Sequence, residues 1–265
     1  VLSGNPVFTT GKVAQGLRFD GVDDAVRLPA TVAMDIGAGP GVTLEMWINP
    51  AQLVSPTTLL EWSTSTGPQP GLHLQTSVLS QGSLFANLMD TNLIAHHVSS
   101  ASGVLSTGVF QHVALTYART SGLAQLYVNG AQVASNTVGN LRLETRPDLW
   151  LGQRILGGAP YRFSGVMDEV SLYNRALSQA ELQAIYQAGN AGKCRTNTPP
   201  PPSRLRVVSI TAPAESVASV PIEIGARGDE NAFSFSLNFN PALLAFRSAA
   251  PRAGSPSAKA APRSS

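Results

Sequence analysis

The chain has 265 residues, of which 43% are hydrophobic and only 13% are Asp, Glu, Lys or Arg. That balance can fill a sizeable core and excludes a disordered, charge-rich chain, while 24 Gly and 19 Pro are too few for a collagen-like sequence and suit a turn-rich β protein. A formal net charge of +2 argues against nucleic acid as the main partner, and the lack of any apolar run of about 18 residues argues against a transmembrane helix.

Residues 1–16 lack a basic start followed by an apolar stretch, so no signal peptide is read there, and a chain that starts without Met reads as a fragment or a processed product. From residue 16 onward, strand-like segments alternate with Gly, Pro, Asn and Ser. Strands are predicted at 17–19, 25–28, 42–48, 57–63, 71–77, 83–89, 93–98, 110–117, 148–153 and 161–173. The segments 123–128 and 131–134 form the clearest hairpin, because Asn129-Gly130 supplies the two positive-φ positions of a type I′ turn. This many short strands with turn signals between them predict an all-β, antiparallel two-sheet jelly-roll sandwich. One short C-terminal helix follows, opened by the capping box Ser178-Gln-Ala-Glu181 and closed by Gly189, with Leu182, Ile185 and Tyr186 on one face.

A Pro-rich linker then spans 196–203, with four consecutive prolines favouring an extended spacer. The segment 204–246 reads as a second, incomplete β segment in which Phe233, Phe235, Leu237 and Phe239 alternate on one face. The tail 247–265 is Ala, Ser, Pro, Arg, Lys and Gly and reads as disordered. Charge follows this division: residues 1–202 carry 11 Lys/Arg against 12 Asp/Glu, and residues 203–265 carry 7 against 4, with no acid after Glu230. The lone Cys194 permits no internal disulfide and no Cys-based metal site, and leaves the compartment unread.

Several blocks, in order, carry a resemblance over residues 1–195. Gly11-Lys-Val-Ala-Gln-Gly16 followed by Leu17-Arg-Phe-Asp20-Gly-Val-Asp23-Asp24 resembles the opening of bacterial laminin-G-like, concanavalin A-like jelly-roll domains. Thr43-Leu-Glu-Met-Trp47-Ile-Asn-Pro50, Phe110-Gln-His112-Val-Ala-Leu-Thr-Tyr117 and Leu126-Tyr-Val-Asn-Gly130 are similar to their inner strands, and 165–178 to their closing strand and helix start. The resemblance implies a module that binds a glycan or an extracellular protein, often with calcium. It also implies a secreted or cell-surface location and a monomeric module within a larger multidomain protein. Residues 220–246 resemble the first third of a cohesin-like β-sandwich.

The acids Asp20, Asp23, Asp24 and Asp168 are the candidate metal ligands. Alternation puts Asp168 on the side of Val166, and Asp24 on the side of Val26 and Leu28, so each needs a partner; a jelly roll commonly sets its first and last strands side by side. Calcium, a hard cation taking carboxylate and carbonyl oxygens, fits such a set, and the resemblance points the same way. The other reading is that these acids cap turns through their own backbone, or that Asp168 accepts neighbouring amides or pairs with Arg18 or Arg27. Trp62, ahead of a polar loop, is a candidate for stacking on a sugar, while His73 and Gln75 are candidates for lining an open sheet face; Trp47 and Trp150 read as core. His112 reads as a packed, hydrogen-bonded structural residue. Catalytic sandwich glucanases carry Glu-x-Asp-x-Glu or Glu-x-Asp-x-x-Glu, which is absent here, and Asp168-Glu169 face opposite sides of a strand. A non-catalytic binding module is therefore expected; the alternatives are a structural spacer or adhesion repeat, or an accessory module of a glycoside hydrolase.

Overall fold

The computed structural model describes residues 1–63, 70–155 and 161–193 and the two strands 204–207 and 222–225. The chain divides into two units, Val1–Arg195 and Thr196–Ser265. In the first unit the strands are β1 (Leu2–Ser3), β2 (Val7–Thr10), β3 (Gln15–Asp20), β4 (Ala25–Leu28), β5 (Gly41–Pro50), β6 (Thr57–Ser63) and β7 (Pro70–Thr76). They continue as β8 (Leu84–Asn87), β9 (His97–Ser99), β10 (Gln111–Ala118), β11 (Leu123–Val128), β12 (Ala131–Thr137), β13 (Leu149–Leu151) and β14 (Ser164–Tyr173), ahead of the helix α1 (Gln179–Ala188).

These strands form two antiparallel seven-stranded sheets, ordered β1-β4-β13-β6-β7-β8-β9 and β12-β11-β10-β5-β14-β3-β2. The jelly-roll sandwich expected from the sequence is what the chain forms. Period-two patterning explains why: Leu44, Met46 and Ile48 from one sheet and Leu60, Leu72 and Leu74 from the other are fully shielded in one core. Burying each such side chain contributes about 1.5–3 kcal/mol. The predicted hairpin is β11–β12, closed by Asn129 (φ 52°) and Gly130 (φ 75°). The strand expected at 93–98 is reduced to His97–Ser99, because Asp90 bridges to Leu143 and its carboxylate takes the amides of Asn92 and Ile94 in a turn instead.

The capping box is formed: Ser178 Oγ accepts from the Glu181 amide and Glu181 accepts from the Ser178 amide at 2.8 Å. Helix α1 covers the outer face of the second sheet, where Leu177 and Leu182 pack on Ala114 and Tyr127. Trp47 is buried there too, beneath Tyr186 and beside His112, rather than between the sheets. Under this helical layer lies a polar knot. Glu45, fully shielded, accepts from His112 Nε2 at 2.9 Å and from Lys193 Nζ at 2.7 Å, while Tyr173 donates to it at 3.3 Å. His112 is thus the hydrogen-bonded structural residue that its strand context predicted.

In the second unit the described part is an antiparallel pair, β15 (Arg204–Val207) with β16 (Ile222–Gly225). The linker at 196–203, the Phe233–Phe239 alternation and the tail at 247–265 lie outside the described residues, as does the rest of the cohesin-like segment.

Candidate functional site

Two places bear on function: the turn after β3 and the outer face of the first sheet. Gly21 (φ 79°) turns the chain back at the end of β3 and gathers three acids, Asp20, Asp23 and Asp24, whose ligand oxygens lie within 4.8 Å of one another. Backbone amides hold two of them. Asp20 Oδ1 accepts from Val22 at 2.7 Å and from Asp23 at 3.3 Å, while Asp24 accepts from Asn5 at 2.7 Å and from Asp20 at 2.8 Å. The Val22 amide holds the Asp20 carboxyl below the usual carboxylate range. Asp23 accepts no hydrogen bond among the described residues, and no Lys or Arg pairs with the three acids. Hard carboxylate oxygens that keep a free lone pair after bonding an amide suit calcium as a donor set. The same amide bonds are those of a turn cap.

The structure keeps Asp168 apart from this group. β3 and β14 do lie side by side, but Ser164 is opposite Asp20, which sets Asp168 beside Gly16, four residues or roughly 13 Å down the ladder. There Asp168 Oδ2 accepts from the Val13 amide and Oδ1 from the Glu169 amide, both at 2.7 Å. Gly16 is needed for this approach: a Cβ on it would stand 2.9 Å from the Met167 carbonyl oxygen and 3.2 Å from the Asp168 Cβ. A four-acid site including Asp168 is therefore corrected to a three-acid turn plus a separate, amide-bound carboxylate.

On the first sheet, Trp62 also departs from expectation. It is fully shielded in the core, opposite Leu149, because the inward parity of β6 falls on Leu60 and Trp62. It presents no ring for a sugar to stack on. The outward parity falls instead on Glu61. Following the register across six strands, Arg27, Trp150, Glu61, His73, Asn87 and His97 stand in one row on the outer face. Gln75 lies on the same face, donating to Thr58 Oγ1 at 3.0 Å. His73 and Gln75 are thus on the predicted side, though both are buried rather than open. Trp150 is likewise buried, but in this outer row, with the Arg27 guanidinium 5.7 Å from its ring.

The electrostatics of the row centre on Glu61. Its side chain is fully shielded, and neither carboxyl oxygen has a hydrogen-bond partner; Arg154 Nε lies 3.3 Å away without hydrogen-bonding alignment. Burial pushes the Glu61 carboxyl up to about 7, with the Arg154 charge only partly opposing. Burial also pushes His73 down to about 4, against its bond to the Gly71 carbonyl and with help from Arg154. The indole Nε1 of Trp150 is a second buried group without a partner. Buried, unpartnered groups with displaced ionisation mark candidate ligand sites. Glu61, Trp150 and Arg154 were not singled out in the sequence; the available signal was the parity of 57–63, which fixes Glu61 opposite to Leu60 and Trp62.

A family model described as Laminin_G_3, concanavalin A-like lectin/glucanases superfamily, matches residues 20–183. No curated protein matches the sequence. Among solved structures, the binding domain of Paraclostridial mosquitocidal protein 1 is similar at a TM-score of 0.58 and 14% identity, with 71% of this chain and 47% of that one covered. Domain 4 of AbnA, a GH43 extracellular arabinanase from Geobacillus stearothermophilus solved with arabinotriose, is similar at 0.50 and 19% identity, covering 68% and 81%. The CBM40 of the Ruminococcus gnavus IT-sialidase, bound to α2,3-sialyllactose, is similar at 0.50 and 17% identity, covering 64% and 95%. At these identities the likeness is one of fold, and this chain spans about half of the mosquitocidal domain.

Proposed function

Since the chain belongs to the concanavalin A-like lectin/glucanase superfamily, we propose that its first unit is a non-catalytic, extracellular binding module for a glycan. The observation that carries this is the outer row of the first sheet, a strip of polar and aromatic side chains crossing six strands, open at His97, half-buried at Arg27 and shielded between them, with Glu61, which has no hydrogen-bond partner, at its middle. At about 4.8 Å per strand the strip is roughly 24 Å long, which suits an extended, hydroxyl-rich ligand more than a compact one. The row carries a single acid, so the paired carboxylates of glycosidic cleavage are not assembled on it. No helix among the described residues is long and apolar enough to cross a membrane. The experiment is a glycan array with the full chain. Glycan binding lost on His73→Ala with the fold retained supports the reading; no binding to any glycan overturns it and leaves a spacer or a protein-binding repeat.

Calcium at Asp20, Asp23 and Asp24 is the second part of this proposal. When bound, the ion would offset two of the three carboxylate charges and stiffen the turn from β3 to β4. Thermal unfolding with calcium and with chelator tests it. A ligand of the folded state alone stabilises by about 2.7 kcal/mol at a hundred times its Kd. A raised midpoint in calcium, lost in Asp23→Asn, is expected. Asp168→Ala should lower the midpoint equally in calcium and in chelator, since its carboxylate serves the Val13 and Glu169 amides. No shift with calcium would leave the three acids as turn caps.

A further inference from the structure

Resting on the binding-face reading above, we propose that the glycan carries a carboxylate, and that Arg154 takes this carboxylate through its guanidinium fork. The Arg154 side chain is 20% exposed. It sits over the Tyr161 ring, 5.4 Å from centre to centre, and turns Nε toward the shielded Glu61. None of its N–H groups donates a hydrogen bond to an acceptor among the described residues. A planar fork held by an aromatic face on one side, with the Glu61 carboxyl as an ionic neighbour at Nε and no aligned acceptor among the described residues, can bind a carboxylate bidentately through its remaining N–H groups.

Charge balance leads to the same group. Guanidinium ions that are mostly buried are paired, because an uncompensated charge away from water is costly. The groups around Arg154 do not supply the missing anion. Glu61 on β6 holds its proton up to about pH 7, so it is not a full counter-charge in neutral or mildly acidic solution. His73 on β7 is neutral. His97 on β9 and Trp150 on β13 offer no negative charge. Asp148, one residue before β13, is already taken by Arg27 at 2.6 Å and by the Ala30 amide at 2.8 Å. Arg162 spends its own donor on Gln153 at 2.7 Å. While Glu61 keeps its proton, the row thus holds one cation more than it has anions, and Trp150 Nε1, without a hydrogen-bond partner, lies on the same face. A uronic or other carboxylated sugar supplies a planar anion together with hydroxyls for the polar strip.

The test is an array holding carboxylated, sulfated and neutral glycans, probed with the full chain. Binding to carboxylated glycans is expected, weakened at least tenfold when the carboxylate is reduced to an alcohol. Arg154→Gln should give a similar loss with the fold retained, read by circular dichroism. Arg119→Gln, an equal change of charge at a half-buried position just past β10 and bonded to Asn140, should leave binding intact. Binding to neutral or sulfated glycans alone, or carboxylate binding untouched by Arg154→Gln, overturns the proposal while the glycan-binding reading stands. No binding to any glycan overturns both.

Discussion

Glu45→Ala should destabilise the first unit by about 3–5 kcal/mol, the loss expected when one partner of a buried ion pair is removed. For a unit of this size that lowers the thermal midpoint by roughly 6–20 °C. The reason lies in what remains. Glu45 is the acceptor for His112, Lys193 and Tyr173 at once. Without it, His112 keeps two ring nitrogens with no partner, since its Nδ1 already has none. Lys193, whose ammonium also donates to the Glu169 carbonyl, loses its buried counter-charge. Glu169 stands at a bulge in β14 with φ 52°, so Lys193 also fastens a backbone position unfavourable for a non-glycine residue. Lys193→Met should lose less, because the His112 bond survives, and the double variant should lose less than the two singles together. The pH dependence has a definite sign. Burial raises the Glu45 carboxyl, but the bond from His112 and the charge of Lys193 outweigh it, leaving the group below its ordinary 4.5. Its stabilisation is therefore present above pH 4.5 and is lost as pH falls through the depressed value. Urea unfolding of wild type and variants at pH 7 and pH 4 checks both points. A loss under about 1 kcal/mol at pH 7 would mean that the knot is not a tie.

That knot shows where sequence reading stopped. The sandwich, the Asn129-Gly130 hairpin and the Ser178 cap were legible because each rests on local chemistry: period two, two positive-φ residues, a hydroxyl three residues ahead of a carboxylate. The acids of the 20–24 turn were legible as a group for the same reason, since five consecutive residues cannot stray far apart. Glu45 was not legible. Its partners are 67 and 148 residues away, and nothing near Thr43-Leu-Glu-Met-Trp47 signals that a lysine beyond α1 will return to it. Asp168 failed differently. Strand adjacency was foreseen, but register was not, and register decides whether two carboxylates on paired strands meet or lie several residues apart. Trp62 failed through parity: a single bulge between Thr58 and Leu60 is enough to make the face of a short strand ambiguous from sequence, and the face went to Glu61. The candidate site is therefore a product of long-range register across six strands, which no local motif encodes.

Glu61→Gln should stabilise the protein by about 3 kcal/mol at pH 8 and by almost nothing at pH 4. The folded state holds the Glu61 proton up to about 7, while an unfolded chain releases it near 4.5. An acid raised in this way gives its full relative stability below the unfolded value and loses it as pH rises through the folded one. Above pH 7 the native protein must carry an ionised, fully shielded carboxylate without a hydrogen bond, and the amide removes that burden while keeping the shape. His73 has the opposite slope. Its imidazole is held neutral down to about 4, so its contribution is complete above 6.5 and is lost as pH falls toward 4. The two slopes offset each other in the wild type, whose midpoint should vary little between pH 4 and pH 8 on their account. Glu61→Gln should instead be steadier toward high pH, and His73→Gln steadier toward low pH. Differential scanning calorimetry across that range reads all three profiles. An equal shift of Glu61→Gln at both ends, or a loss at pH 8, would mean that Glu61 is ionised and paired in the folded state. A stabilising Glu61→Gln would identify a position where stability is given up for a carboxyl with no hydrogen-bond partner among the described residues, as expected of a residue kept for a ligand rather than for the fold.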